Sequence, residues 1–220
     1  MIQLTRTGVL ADAEEITSLR ERFARDHCVV LPQLLHRDLL GSLMRSLEAA
    51  RFVEKMHYAE SAPNQPREFA KDISLVTNSP AWHAWHLLMN TPGLFKVMEQ
   101  ITESPEIGSF TGRIYRTLPG SDHHLDWHSD LNNNRLIGLS LNLSPEPYVG
   151  GVFQIRERVT QQVTAEVGSS RPGCAHLFRI AQSVEHRVTA VEDRHPRTAA
   201  AGWFVSTPSR EARLKSLFTT

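Results

Sequence analysis

The sequence predicts an α+β fold, mainly β: a double-stranded β-helix (jelly roll) with an N-terminal helical layer packed on one sheet. Three observations predict it. From Ile107 onward the chain breaks into short strand-like runs separated by turns, at 107–118, 123–128, 135–143, 151–156, 159–167, 174–180, 184–192 and 198–206. Before Ile107, apolar residues recur instead at helical spacing. The 220 residues make one domain, long enough to bury a sizeable core. We divide that domain, 1–220, into a mostly helical layer over 1–106, a jelly-roll core over 107–206 and a C-terminal tail over 207–220.

The elements follow in order. Ala13 to Asp26 places Ile16, Leu19 and Phe23 on one helical face. Cys28-Val29-Val30-Leu31 is a short strand, ended by Pro32. Arg37 to Phe52 carries Leu39, Leu40, Leu43, Leu47 and Ala50 on a broad face suited to packing on a sheet. Tyr58 to Asp72 is polar, contains Pro63 and Pro66 and has no clear period, which predicts a loop: a lid or binding segment, or a surface insertion. Ser79-Pro80 and Thr91-Pro92 each pair a cap residue with a proline in the first turn, so two helices start there. The Trp82, Trp85, Met89 stripe reads as core rather than as an aromatic substrate platform. The eight strands beyond fit a double-sheet jelly roll of the cupin kind.

Composition excludes several classes. Hydrophobic residues make up 40% and charged residues 22%, ordinary for a soluble globular chain. Formal net charge is zero and the basic residues are scattered among acids, so no footprint for nucleic acid is present. Two cysteines, Cys28 and Cys174, make no disulfide framework and read as reduced thiols. The N-terminus lacks the plan of a secretion signal, and no apolar run reaches membrane-spanning length. The expected location is cytoplasmic, with no membrane partner.

The chemistry concentrates at His128-Ser129-Asp130 and His186. Residues i and i+2 of a strand point to one side, so His128 and Asp130 can reach one metal ion while His186 arrives from another strand. Two histidines and a carboxylate can occupy one face of Fe(II) and leave the other positions open. His124-Leu125-Asp126 has the same spacing and parity. The pair His128/Asp130 is preferred because Leu131-Asn132-Asn133-Asn134 follows it, placing it at a strand end beside a loop. His186 has rivals in His176 and His195. His176, inside the stretch Cys174 to Ile180, reads as a satisfied core or surface residue, and His195 precedes Pro196 in a turn. His186 sits among Val184, Val188 and Ala190, a half-buried pattern that aims its imidazole inward.

The order His128-x-Asp130, Leu141-Asn142, Gly150-Gly151, Pro172-Gly173, Phe178, His186-Arg187-Val188 and Arg197 to Trp203-Phe204 resembles the Fe(II)/2-oxoglutarate-dependent dioxygenases, in particular their prolyl-hydroxylase-like branch. The resemblance covers roughly residues 107–206. It implies the same double-stranded β-helix, with Fe(II) held by His128, Asp130 and His186, 2-oxoglutarate as co-substrate and O2 as oxidant. It also implies that Arg197, eleven residues beyond His186, holds the distal carboxylate of 2-oxoglutarate, as a guanidinium fork can. Arg194 has the opposite strand parity. Relatives often place a hydroxyl two or four residues after this arginine. Here those positions are Ala199 and Ala201, so Ser140 or Tyr115 is expected to supply the bond. Leu118 also stands where relatives commonly have tyrosine.

The implied activity is hydroxylation of an unactivated C–H bond, with release of succinate and CO2. Asp130 argues against halogenation, because halogenases of the family carry a small residue in place of the carboxylate. Desaturation, ring formation and epoxidation use the same ligands. The expected substrate is a small metabolite or amino-acid-like molecule, with Arg113, Arg116, His123, Asn132 and Arg156 as candidate contacts. Two other readings stand beside it: a peptidyl or protein hydroxylase, and a metal-binding jelly roll without oxygenase turnover. Oligomeric state is not legible.

Overall fold

The computed structural model describes residues 1–60, 66–132, 134–192 and 194–207, with the backbone alone at 59, 60, 66 and 67. Strands β1 (Gln3–Thr5) and β2 (Gly8–Leu10) form a small antiparallel pair ahead of helix α1 (Ala13–Asp26). Next come β3 (Cys28–Leu31) and α2 (Arg37–Glu48), then β4 (Phe52–Glu60) and β5 (Pro66–Leu75), then α3 (Pro80–Met89) and α4 (Pro92–Thr102). The remaining strands are β6 (Ser109–Thr117), β7 (His124–His128), β8 (Arg135–Asn142), β9 (Phe153–Glu157), β10 (Val163–Val167), β11 (Ala175–Arg179), β12 (Val184–Val188) and β13 (Arg197–Val205). These eight are the eight expected from the sequence, with six of them shortened at one or both ends, β9 starting later and running one residue further, and β13 shifted by one residue.

The helices start where their caps dictate. Asp12 accepts from the Glu15 backbone N–H and Ser79 from that of Trp82. Pro80 and Pro92 occupy first turns, although Thr91 makes no side-chain cap bond. Trp85 and Met89 are fully buried and Trp82 packs beside them, so that stripe is core.

The main sheet runs β10-β9-β12-β7-β5-β6-β13-β8-β11-β3, with β4 paired to β5. It folds back on itself: Phe153 of β9 lies 5.0 Å from Phe178 of β11. This antiparallel, nearly closed sheet, with the four helices among the described residues, is the double-stranded β-helix that the sequence predicts. Strand periodicity assigns its two faces. Ile114, Leu139, Leu141, Leu177, Ala200 and Phe204 pack outward in one core with Leu19, Phe23, Leu43, Leu94 and Met98 of the helices. Residues of opposite parity, including Tyr115, Ser140, Phe178, Arg197 and Trp203, line an interior cavity.

Two expectations need correction. Tyr58 to Asp72 is not a loop, because its described residues belong to the paired strands β4 and β5. The strand period was masked there by a buried Asp72 and Ser74 on alternate positions and by a register shift between His57 and Tyr58. Residues 61–65, and with them any lid at the tip, lie outside the described residues. The helix expected over Arg37 to Phe52 stops at Glu48, and Phe52 opens β4. Of the tail 207–220 only Thr207 is among the described residues. None of the described helices is long and apolar enough to cross a membrane.

Candidate metal centre and its cavity

His128 and His186 are direct cross-strand partners, His128 at the end of β7 and His186 central in β12. Asp130 follows two residues past the end of β7. The Asp130 carboxylate lies 3.3 Å from His186 Nε2 and 3.7 Å from His128 Nε2. One ligand atom from each residue lies within 4.8 Å of the other two, the compactness a single ion requires. The His128 Nδ1–H donates to the Asp126 carbonyl over 2.7 Å, which fixes the tautomer and leaves Nε2 bare. Two imidazoles and one carboxylate are the donor set that suits Fe(II) with open positions.

The competing pair His124/Asp126 is removed by a bulge. The register passes from His186↔His128 to Val188↔Leu125, so β7 holds one extra residue there. The phase changes, and Leu125 rather than His124 or Asp126 shares the cavity wall with His128. Asp126 is exposed, and His124 sits 3.8 Å from Glu68. His195 receives a bond from Arg194 away from the cluster. His176 is core as expected, but it is not satisfied, since its buried Nε2 has no hydrogen-bond partner among the described residues.

Asp130 is held as an anion. Burial disfavours its charge, yet bonds from His186 and Trp203 and the nearby His128 outweigh that and keep the carboxyl below the usual range. Trp203 Nε1–H donates to Oδ2 over 2.6 Å, and Arg135 Nη1 reaches Oδ1 at 3.3 Å while its guanidinium stacks 3.5 Å over the Trp203 ring. Burial, reinforced by His186, lowers the His128 pKa to about 4, so its imidazole is neutral and able to bind a metal at neutral pH. Sequence reasoning used Trp203 only as a marker. Its parity with Arg197, six residues back on β13, was the available sign that it faces the site.

Arg197 stands at another wall of the same cavity, 4% exposed. Its Nη1–H donates to the Tyr115 hydroxyl at 2.9 Å and Nη2–H to Ser140 Oγ at 3.5 Å. Among the described residues no carboxylate lies within ion-pair distance of it. Burial works against its charge, but the phenols of Tyr115 and Tyr148 outweigh that and raise its pKa. The sheet register explains the missing hydroxyls. Ala201 pairs with Ser140 on β8 and Ala199 with Tyr115 on β6, so each absent hydroxyl is replaced from one strand over. Gly151 (φ +57°) lies against this arginine, and a Cβ there would come 2.8 Å from Arg197 Cδ.

The cavity encloses about 440 Å³ between the three-residue cluster and Arg197. Phe69 packs 4.6 Å from His128, and Phe178 4.6 Å from His186. Phe178 can lie there only because Gly138 has no Cβ, which would meet its ring at 2.0 Å. Of the five candidate substrate contacts, Arg113 alone lines the cavity. It is anchored by Asp72 at 2.9 Å and touches His57. Arg116 has the opposite parity and stacks on Phe52, while Arg156 is occupied by Glu185 and Trp127. His123 accepts from the Leu118 backbone, and Asn132 is exposed.

A jelly roll thus holds a two-histidine, one-carboxylate cluster and a buried guanidinium in one cavity. Residues 112–205 match the family model of the 2OG-Fe(II) oxygenase superfamily, a span that includes every site residue from Arg113 to Trp203. The cofactors of that domain are Fe(II), 2-oxoglutarate and O2, and the cluster offers fitting iron donors. No curated protein sequence matches the chain. Among solved structures it is similar to an oxidoreductase of the 2OG-Fe(II) oxygenase family from Burkholderia pseudomallei (TM-score 0.62, 14% identity, 89% of this chain and 93% of that one). A Pseudomonas putida prolyl-4-hydroxylase gives a TM-score of 0.60 at 18% identity, covering 86% of this chain and 98% of that one. The non-heme α-ketoglutarate-dependent epimerase SnoN from nogalamycin biosynthesis gives 0.60 at 12% identity, covering 88% and 84%.

Proposed function

We propose that the protein is an Fe(II)- and 2-oxoglutarate-dependent oxygenase that hydroxylates an unactivated C–H bond of a small, amino-acid-like metabolite. One observation carries the reading: a single cavity holds a compact His128/Asp130/His186 donor set and a buried Arg197 that has no acidic partner among the described residues. A buried charge is tolerated when it is matched, and a carboxylate entering the cavity would match it.

In this reading His128, Asp130 and His186 hold Fe(II), and Arg197 with Tyr115 and Ser140 holds the far carboxylate of 2-oxoglutarate. When bound, that pair supplies an oxidant from O2, one oxygen atom going to substrate and the other to succinate as CO2 leaves. The chain's own residues then orient and enclose. Trp203 and Arg135 fix the Asp130 carboxylate. Phe69, Phe178, Phe153 and Leu125 wall the centre with apolar surface and exclude water. Arg113, His57, Met56, Tyr58 and Trp203 remain for the substrate. At about 440 Å³ the cavity lies low in the roughly 300–1,000 Å³ range of ligand sites. The co-substrate fills part of it, and this favours a small substrate.

A second reading, peptidyl hydroxylation, is favoured by the β4–β5 hairpin, which sets Met56, His57, Tyr58 and Phe69 along the cavity, and by the prolyl-4-hydroxylase neighbour. The test is release of succinate and CO2 from 2-oxoglutarate by Fe(II)-loaded protein, screened over amino acids and proline-containing peptides. His128→Ala and Asp130→Ala should each abolish release. Full turnover by either variant overturns the ligand set, and preference for peptides over free amino acids replaces the first reading with the second.

A further inference from the structure

Behind the cavity, lining a small adjoining void, lies one polar group that the proposed function does not use. His176, on β11, is 6% exposed, and its Nε2 is buried with no hydrogen-bond partner among the described residues. An unmet buried donor or acceptor is costly enough that it calls for an explanation. The register places it. Ala201, Ser140 and His176 are successive partners across β13, β8 and β11, so their side chains share the inner face as neighbours. A small void of about 10 Å³, bounded by Ser140, Tyr148, His176 and Arg197, sits behind the main cavity, and the two spaces share Ser140, Phe153 and Arg197 as walls. The His176 ring is otherwise packed on Phe153, 4.4 Å away.

We propose that His176 is a second anchor for the distal carboxylate of the co-substrate, donating its Nε2–H beside the Arg197 guanidinium and so selecting 2-oxo acids that carry a second carboxylate. The proposal rests on the oxygenase reading. A carboxylate held by Arg197 at the junction of the two spaces has Ser140 and then His176 as its next neighbours across the sheet. It can accept several bonds, and a neutral imidazole has one N–H to give. Burial first, then the charge of Arg197, lowers the His176 pKa to about 3, so the ring is neutral. That neutrality suits the role, because Arg197 already supplies the single positive charge that one carboxylate needs. The added donor supplements Tyr115 and Ser140, which already replace the hydroxyls absent at Ala199 and Ala201. A purely structural His176 would be replaced by phenylalanine without consequence for ligand choice.

The experiment measures anaerobic binding of two ligands to the full-length, Fe(II)-loaded protein: 2-oxoglutarate, and 2-oxopentanoate, which has the same chain with a methyl group in place of the distal carboxylate. His176→Phe should weaken 2-oxoglutarate about tenfold or more, while Fe(II) and 2-oxopentanoate affinities stay within about twofold. His176→Gln, which restores a donor, should recover much of the loss. Unchanged 2-oxoglutarate binding in His176→Phe, or an equal loss for both ligands, overturns the proposal and makes His176 a packing residue. Should His176→Phe fail to fold, His176→Leu carries the same comparison. If the wild-type protein holds Fe(II) but binds no 2-oxoglutarate, the oxygenase reading itself fails, a result distinct from failure of the His176 role alone.

Discussion

Trp203 donates its indole N–H to Asp130 Oδ2 over 2.6 Å, while the face of the same ring carries the Arg135 guanidinium at 3.5 Å. One side chain therefore both orients the carboxylate of the candidate metal centre and positions the cation beside it. Partners of this kind commonly change metal affinity by about 10–100-fold when removed. Trp203→Phe keeps the ring and the stacking but deletes the N–H. We expect a loss of Fe(II) affinity in that range with little change in the fold, read by metal titration alongside circular dichroism. Wild-type affinity would mean that Asp130 is oriented by the backbone alone.

Arg197 is a buried cation whose bonds go to hydroxyls. Replacing a buried charge by an apolar side chain of similar volume is often neutral or stabilising. Arg197→Met should therefore leave the ligand-free protein no less stable in urea unfolding, yet remove the stabilisation that added 2-oxoglutarate gives the wild type. A drop of more than about 2 kcal/mol without ligand would instead mark Arg197 as a structural residue.

Acid should destabilise the metal-free protein through two histidines. The folded-state pKa is lowered to about 4 at His128 and about 3 at His176, chiefly by burial. Above the ordinary histidine value of about 6.5 neither folded nor unfolded chain is protonated at these sites, and they make no contribution to pH dependence. Below it the unfolded chain takes up protons that the native state refuses, so stability falls as pH drops from about 6.5 towards 4, by up to about 1.4 kcal/mol per pH unit for each group. Denaturant melts at pH 7.5 and 5.5 should show this, and His176→Phe should flatten the slope. A slope unchanged by that variant would contradict the assignment.

Gly138 is the one position on β8 where Phe178 crosses the strand, and a Cβ would meet that ring at 2.0 Å. Gly138→Ala must displace Phe178, which also packs on His186. Overpacking of this kind costs about 1–3 kcal/mol. The expected result is a lower melting temperature together with weaker metal binding. A fully stable variant with intact metal affinity would show that the ring has room to move elsewhere.

Much of this site was legible in the sequence because strand parity transmits it. Arg197, Ser140 and Tyr115 fall on the inner face for the same reason that Leu139, Leu141 and Ala200 fall on the outer one. The eight core strands were readable from turn spacing, and α3 and α4 from their Ser-Pro and Thr-Pro starts. Parity failed where the backbone leaves its regular period. The bulge in β7 separates His128 from His124/Asp126, and no residue pattern announces it. The hairpin β4–β5 was missed because Asp72 is buried to anchor Arg113 and His57, which puts charge where a strand pattern expects an apolar residue. Pairings between distant strands, such as Trp203 with Asp130, exist only once the sheet is folded.

In the proposed function, one cavity binds Fe(II) at His128, Asp130 and His186 and 2-oxoglutarate at Arg197. Anaerobic titration of the Fe(II)-loaded protein with 2-oxoglutarate tests it most directly, by the weak visible charge-transfer absorption of the chelate. This absorption should appear in the wild type, be lost in Asp130→Ala together with the metal, and be lost in Arg197→Ala with the metal retained. Its absence in wild-type protein shown to hold iron would mean that Arg197 anchors no 2-oxoglutarate beside the metal.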